Sequence, residues 1–497
     1  MLVKDRLEAQ ANYSIGTLES ACDALQDICR IPKSWHNHRK MHFLGNTVGF
    51  FAAILPRFML DNPQLFNLPE DETAETFMKE IYAASKETRY VVMRNKLMFL
   101  GQLNAEREEL LSDLIRESCT GAFCDFVVTV FSRLEHMDFN IERYPYLMYR
   151  AVLDVLPSLL ESDDQRAMGG NYTSPEISSL MAELACIRPG EKVYDGACGL
   201  SILISIAIAA MDVDLYAQDI DRYAAAISRF MMLLIGKKEA RIENCDTLLR
   251  YDITDGPKSD LFLMHPPFNL SFGHDMMTNQ PSEILEDGFD SNPRNDQWLF
   301  FRRAFQAIGE NGRGVALVNI SALDRDSRPY KSTRVEMIRK GYISAVIELP
   351  VGTVGYSTTK WSIVLFDKHG GHKEVYFLDL SRKALNDYFT KSGKGAYTFD
   401  ETRIPEILQI VSDREEKPGI SRNVSIREIE KLEYRLSAGS YLLESFPEDE
   451  DLVESVKILQ ERDLAKKDYI EFANNFEAAI EDYYDYRRAM ENESGEQ

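Results

Sequence analysis

From about residue 170 onward, short β-rich runs alternate with helical patterns, and no other feature restricts the fold as strongly. Such alternation builds βαβ units, which in turn build a mostly parallel sheet with helices on its faces. Strands are predicted at Lys192–Asp195, Asp214–Gln218, Asp260–Met264, Gly314–Ile320, Ser344–Leu349, Trp361–Asp367 and Glu374–Asp379. Helices are predicted over Glu176–Cys186, Ile202–Met211, Tyr223–Ile235, Gln297–Ile308 and Lys331–Lys340. His369-Gly370-Gly371-His372 separates the last two strands. It reads as a hairpin turn, because paired glycines accept positive φ, and its histidines are then turn residues and not ligands. The expected fold class is α/β, a mostly parallel sheet with an antiparallel edge hairpin.

Helical regions flank this sheet. In the first, residues 1–165, Tyr90, Met93, Leu97 and Leu100 recur at helical spacing, as do Val127, Val130, Phe131 and Leu134. His36, His38 and His42 have no thiolate or carboxylate partner fixed nearby, so a polar helix end is favoured over a metal site. After about residue 400 the chain turns acidic and helical, which sets expected domains at 1–165, 166–400 and 401–497. Asp451–Asn492 contains neither Pro nor Gly. Leu452, Val456, Leu459, Tyr469, Phe472, Phe476 and Ile480 line one face of the helix expected there, either a plain surface helix or, as favoured, one packed on another subunit.

Composition sets limits on function. The 80 acidic and 57 basic residues leave a net charge of −23, and residues 446–497 alone hold 16 acids against 6 bases. A protein gripping nucleic acid unaided normally carries a basic face. Any such grip here is confined to one cleft or supplied by a partner. No apolar run approaches the roughly 18–20 residues of a membrane span, and no signal peptide is expected. Seven scattered cysteines suit a reduced cytoplasm better than a disulfide framework.

Two constellations carry chemistry. Asp195-Gly196-Ala197-Cys198-Gly199 follows a predicted strand and opens an apolar helix, where backbone N–H groups can approach a ligand. The next strand ends in Gln218-Asp219, a carboxylate placed to accept from ribose hydroxyls. Asn244-Cys245-Asp246-Thr247 is where a nucleoside's base edge would be read, although an ordinary βα turn explains the first loop equally well. The second constellation is more specific. The apolar strand Asp260–Met264 runs straight into His265-Pro266-Pro267-Phe268. Two prolines fix the backbone and have no N–H, so carbonyls stay available beside a rigidly held aromatic ring. This arrangement suits a planar heterocycle with an exocyclic amine.

Tyr172-Thr173-Ser174-Pro175, Tyr194 to Gly199, Asp246-Thr247-Leu248 and Pro266-Pro267-Phe268, taken in order, resemble the adenine-N6 DNA methyltransferases. The closer resemblance is to the modification subunit, HsdM, of type I restriction–modification systems. It continues through Gln297-Trp298-Leu299-Phe300, Gly312 to Ala316, Ala345 to Pro350 and Leu436 to Leu442. The resemblance implies a Rossmann-like methyltransferase domain with helical flanks, and S-adenosylmethionine as cofactor with no metal. It places Tyr172, Thr173, Pro175, Asp195, Ala197, Cys198 and Gly199 on the methionine side, Asp219 on the ribose and Asp246 near the adenine. The target base would be flipped out of the duplex and stacked on Phe268. Residue 265 and the Pro266 carbonyl would accept from its amine, with Pro267 fixing the loop. DNA would be met within a complex, with a specificity subunit, alone or together with a restriction nuclease subunit, as partner.

The family pattern is broken at two places. Gly196 stands where the family has Pro, and Leu200-Ser201 where it has Ser-Gly, so crowding of the cofactor loop is expected. His265 replaces Asn. A neutral imidazole accepts at one nitrogen and an imidazolium at neither, so an acid limb near the ordinary pKa of about 6.5 is expected if His265 is the acceptor. The alternative is a non-catalytic scaffold or regulatory subunit of a DNA-defence complex.

Overall fold

The structure is a computed structural model. It describes residues 2–30, 45–119, 123–162, 173–249, 258–268, 297–325, 328–354, 359–391 and 396–442. The histidine cluster at 36–42, Tyr172, the segment 269–296, whose Gly, Pro, Asn and Asp content predicts a lid over the site, and the expected C-terminal helix lie outside the described residues.

Eleven strands are named here in chain order: β1 (Lys192–Asp195), β2 (Asp214–Asp219), β3 (Arg241–Asn244), β4 (Ser259–Met264), β5 (Ile308–Asn319), β6 (Ile343–Glu348), β7 (Trp361–Asp367), β8 (Glu374–Asp379), β9 (Phe389–Lys391), β10 (Tyr397–Phe399) and β11 (Ser421–Ser425). Nine of them form one sheet in the order β11-β8-β6-β7-β5-β4-β1-β2-β3, and β9 and β10 pair separately as an antiparallel hairpin. β3, β2, β1, β4 and β5 run parallel, and β7 is antiparallel to both β5 and β6. The α/β class with a largely parallel sheet is therefore as expected.

The Gly-Gly turn differs from the expectation. Gly370 (φ 71°) and Gly371 (φ 81°) do take positive φ. But β6 lies between β7 and β8, so the turn carries the chain past a strand and does not close a two-strand hairpin. Gly371 N and His372 N donate to Lys340 O and Gly341 O, which ties the turn to the chain entering β6. Non-local pairing of this kind leaves no trace in local sequence. The stretch after 400 also departs from an all-helical reading, because β11 adds an antiparallel edge to β8. Contacts group the chain up to Leu442 as one unit.

The helices before β4 are α1 (Val3–Gln10), α2 (Ile15–Arg30), α3 (Gly45–Asp61), α4 (Pro63–Phe66), α5 (Ala74–Ala83), α6 (Arg89–Ala105), α7 (Glu109–Ser118), α8 (Phe123–Arg133), α9 (Leu147–Ser162), α10 (Pro175–Leu184), α11 (Ile202–Ile208) and α12 (Arg222–Leu234), and α7 and α12 join the N-terminal helices to the sheet. Arg229, 7% exposed, pairs with Glu108, Arg222 with Asp113, and Tyr223 donates to Glu117 at 2.7 Å. Phe230 also packs on Phe51 and Phe58. Met93, Leu97 and Leu100 are buried as the helical spacing predicts, whereas Tyr90 stays exposed.

The Gly312-Arg313-Gly314 run has a physical cause. Arg313 grips Glu191 with two hydrogen bonds, at 2.9 and 2.7 Å, and donates to the Ala185 and Cys186 carbonyls. A Cβ on Gly314 would fall inside the ring of Phe262 on neighbouring β4. Overpacking a core of this density costs about 1–3 kcal/mol. Gly314→Ala is therefore expected to lower the thermal midpoint by several degrees, while Gly199→Ala at an open position should lower it less. An unchanged midpoint for Gly314→Ala would contradict the β4–β5 packing.

Candidate functional site

The chemistry-bearing residues collect at the carboxyl ends of β1, β2, β4 and β5, the end of a parallel sheet where loops and helix starts leave a crevice. After β1, Asp195 Oδ1 accepts from Ala197 N at 3.0 Å, which curls the loop tightly. Gly199 (φ 54°) takes a left-handed turn, and a Cβ there would meet nothing within 4 Å. That leaves open space over the loop. Across from it, Asp219 accepts from Gly199 N at 2.8 Å and from Asp221 N at 2.9 Å. Burial holds both carboxyls up: Asp195 to about 8, with Asp219 adding to the rise, and Asp219 to about 6. Asp246, half-buried, accepts from Leu248 N at 2.9 Å. Ile220, next to Asp219, is 70% exposed, an apolar surface at the rim that the sequence did not single out.

Two of the three altered loop positions, Leu200 and Ser201, face the core. Leu200 is buried in the core, and Ser201 is fully buried with its hydroxyl on Ser228. Cys198 is buried too, with Sγ 3.6 Å from the same hydroxyl. The crowding expected from Leu200-Ser201 is thus corrected: both side chains turn inward. What remains of the change is backbone strain, because Ser201 holds φ 57° at the N-cap of α11, a conformation that favours glycine.

The second loop follows β4. His265 Nδ1 lies 2.9 Å from Thr173 Oγ1, and Nε2 is enclosed without a hydrogen-bond partner. Its ring meets Trp361 edge-on at 4.9 Å, and Phe268 meets the same indole at 5.2 Å. Burial lowers the His265 pKa to about 3, so the ring is neutral throughout the physiological range. The acid limb expected near 6.5 is corrected accordingly. Thr173, grouped by sequence with the cofactor residues, touches His265. Pro175 opens α10 behind the N-cap Ser174. The Pro266 carbonyl is not left bare by its neighbours: Gln297 Nε2 donates to it at 2.8 Å, and Gln297 Oε1 accepts from Asn319 N at 3.0 Å. Gln297, in the sequence a helix start and part of the family-like run Gln297-Trp298-Leu299-Phe300, and Trp361, the start of a strand, thus both contact this loop. Among the described residues no group of His, Cys, Asp and Glu could hold a metal ion, and no helix is long and apolar enough to cross a membrane.

Residues 155–451, more than half of the chain, match the N-6 DNA Methylase family. The chain belongs to the N-6 DNA methylase family. Among curated proteins it is similar to two from Methanocaldococcus jannaschii. The type I restriction enzyme MjaVIII methylase subunit is 24% identical over 85% of this chain and 78% of that protein. The MjaVII methylase subunit is 21% identical over 83% of this chain and 73% of that protein. The fold is shared with a type I restriction–modification methyltransferase subunit from Streptococcus thermophilus, with a TM-score of 0.67 and 19% identity over 86% of this chain and all of that one.

Proposed function

We propose that this chain is the modification subunit of a type I-like restriction–modification complex, transferring a methyl group from S-adenosylmethionine to adenine N6 in DNA. The observation that carries the reading is a half-buried imidazole, held neutral, whose Nε2 has no hydrogen-bond partner, placed at the end of β4 beside Pro266 and Phe268. With Nδ1–H donating to Thr173 Oγ1, Nε2 bears a lone pair and can accept from the amine. The Pro266 carbonyl accepts the second amine hydrogen with its remaining lone pair. Together they draw the nitrogen lone pair out of the purine ring. Phe268 supplies the stacking face, with Trp361 bracing both rings.

The crevice at β1 and β2 fits the cofactor. The open face at Gly199 leaves room for it, Asp219 offers its remaining lone pairs to the ribose, and Ile220 and Asp246 flank the place of the adenine. S-adenosylmethionine supplies the electrophilic methyl group. A net charge of −23 leaves DNA selection to a specificity subunit, and a restriction nuclease subunit completes such a complex.

One observation favours the alternative, a non-catalytic scaffold: Nε2 is enclosed and the Pro266 carbonyl already has a donor. Cells carrying this gene with its specificity partner separate the two. Single-molecule sequencing of their DNA should show N6-methyladenine at one recurring motif, lost on deletion of the gene. Full persistence of that mark after deletion would assign it to another enzyme.

A further inference from the structure

We infer that Gln297 is a positioning residue for the target amine, acting through the Pro266 carbonyl; this rests on the proposed methyl transfer. Gln297 begins α13 (Gln297–Ala307), is 1% exposed, and has both ends of its amide engaged. Its Oε1 accepts from Asn319 N at the end of β5, and its Nε2 donates to Pro266 O at the end of β4. One side chain therefore clamps together the ends of two neighbouring parallel strands, where the Pro-Pro turn leaves the sheet.

The clamp has chemical consequences. A carbonyl oxygen has two in-plane lone pairs. When Gln297 takes one, the plane of the Pro266–Pro267 peptide is set and the other lone pair points in a fixed direction. Neither proline donates a hydrogen bond, so the turn cannot fix that plane from within. Donation from Gln297 also keeps an otherwise buried carbonyl satisfied before any base arrives; Pro266 is itself buried. The amine then meets an acceptor already oriented, and orientation of this kind acts on the rate constant more than on ground-state binding.

The test is Gln297→Glu in the chain complexed with its specificity partner, with Gln297→Ala beside it. The introduced carboxylate still accepts from Asn319 N, but it donates to Pro266 O only when protonated. At saturating cofactor, kcat relative to the parent should be at least 10-fold lower at pH 8 and recover toward pH 6, while KM for DNA moves less than 3-fold. A role confined to stability would lower kcat equally at both pH values, or not at all, and would overturn the inference. Should the parent complex transfer no methyl group, the function reading falls, and the clamp is then read by hydrogen exchange in the peptide containing Asn319. Exchange accelerated at least 10-fold in Gln297→Ala and unchanged in Gln297→Glu supports the clamp; equal exchange in all three overturns it.

Discussion

His265→Ala is expected to lower kcat for methyl transfer on the order of 10²–10³-fold, the usual loss when one preorganised polar contact to a transition state disappears. His265→Asn should keep most of the activity, because an amide oxygen accepts where the imidazole Nε2 did. Neither the parent nor His265→Asn should show an acid limb from this residue between pH 5.5 and 8.5, since burial already holds the imidazole neutral down to about 3. The same burial acts on stability. In the unfolded chain the ring titrates near 6.5, so between about 3 and 6.5 the unfolded state binds the extra proton. Stability therefore rises with pH across that window and is lost as pH falls. His265→Asn removes this dependence, so its melting temperature relative to the parent should climb as pH is lowered from 7 to 5. A parallel shift at both pH values would mean that the ring is solvated.

The second large effect concerns the cofactor. Asp219→Ala removes a carboxylate that holds the Gly199 amide and faces the proposed ribose site. A lost charged acceptor costs about 1.5–3 kcal/mol, roughly 10- to 150-fold in Kd. Binding should also be linked to protons. Burial raises Asp195 to about 8 and Asp219 to about 6. S-adenosylmethionine is a cation and prefers both carboxylates ionised. Binding at pH 7 should therefore release a proton, and affinity should rise by up to about 10-fold per pH unit from 6 to 8 for one linked proton. Asp195→Asn should flatten that rise. Calorimetric titration in buffers of differing ionisation enthalpy measures it directly; a Kd independent of pH would place the cofactor away from Asp195 and Asp219.

The sequence was legible where local pattern determines structure. Strands β1, β7 and β8 occupy the predicted residues, and the helices between them begin and end within a few residues of prediction, because strands buried on both faces are short apolar runs whatever their direction. Strand β3 (Arg241–Asn244) and β11 (Ser421–Ser425) escaped because each holds a single aliphatic residue, at a sheet edge with little to bury. The β7–β8 connection is not a hairpin because β6, which precedes both strands in the chain, lies between them. In the site, the Pro-Pro-aromatic turn and Asp219 were visible as motifs. What Thr173 and Gln297 touch was not, since both reach residues far away in sequence. Nor could spacing show that Leu200 and Ser201 face the core, or that His265 is desolvated.

The most direct measurement is transfer of tritiated methyl from S-adenosylmethionine to duplex DNA lacking adenine methylation, by the chain reconstituted with its specificity partner. With saturating cofactor, the account predicts label recovered as N6-methyladenine, at rates equal within about two-fold at pH 6 and pH 8, because His265 stays neutral across that range. No transfer at either pH, or label on any group other than the adenine amine, would contradict it.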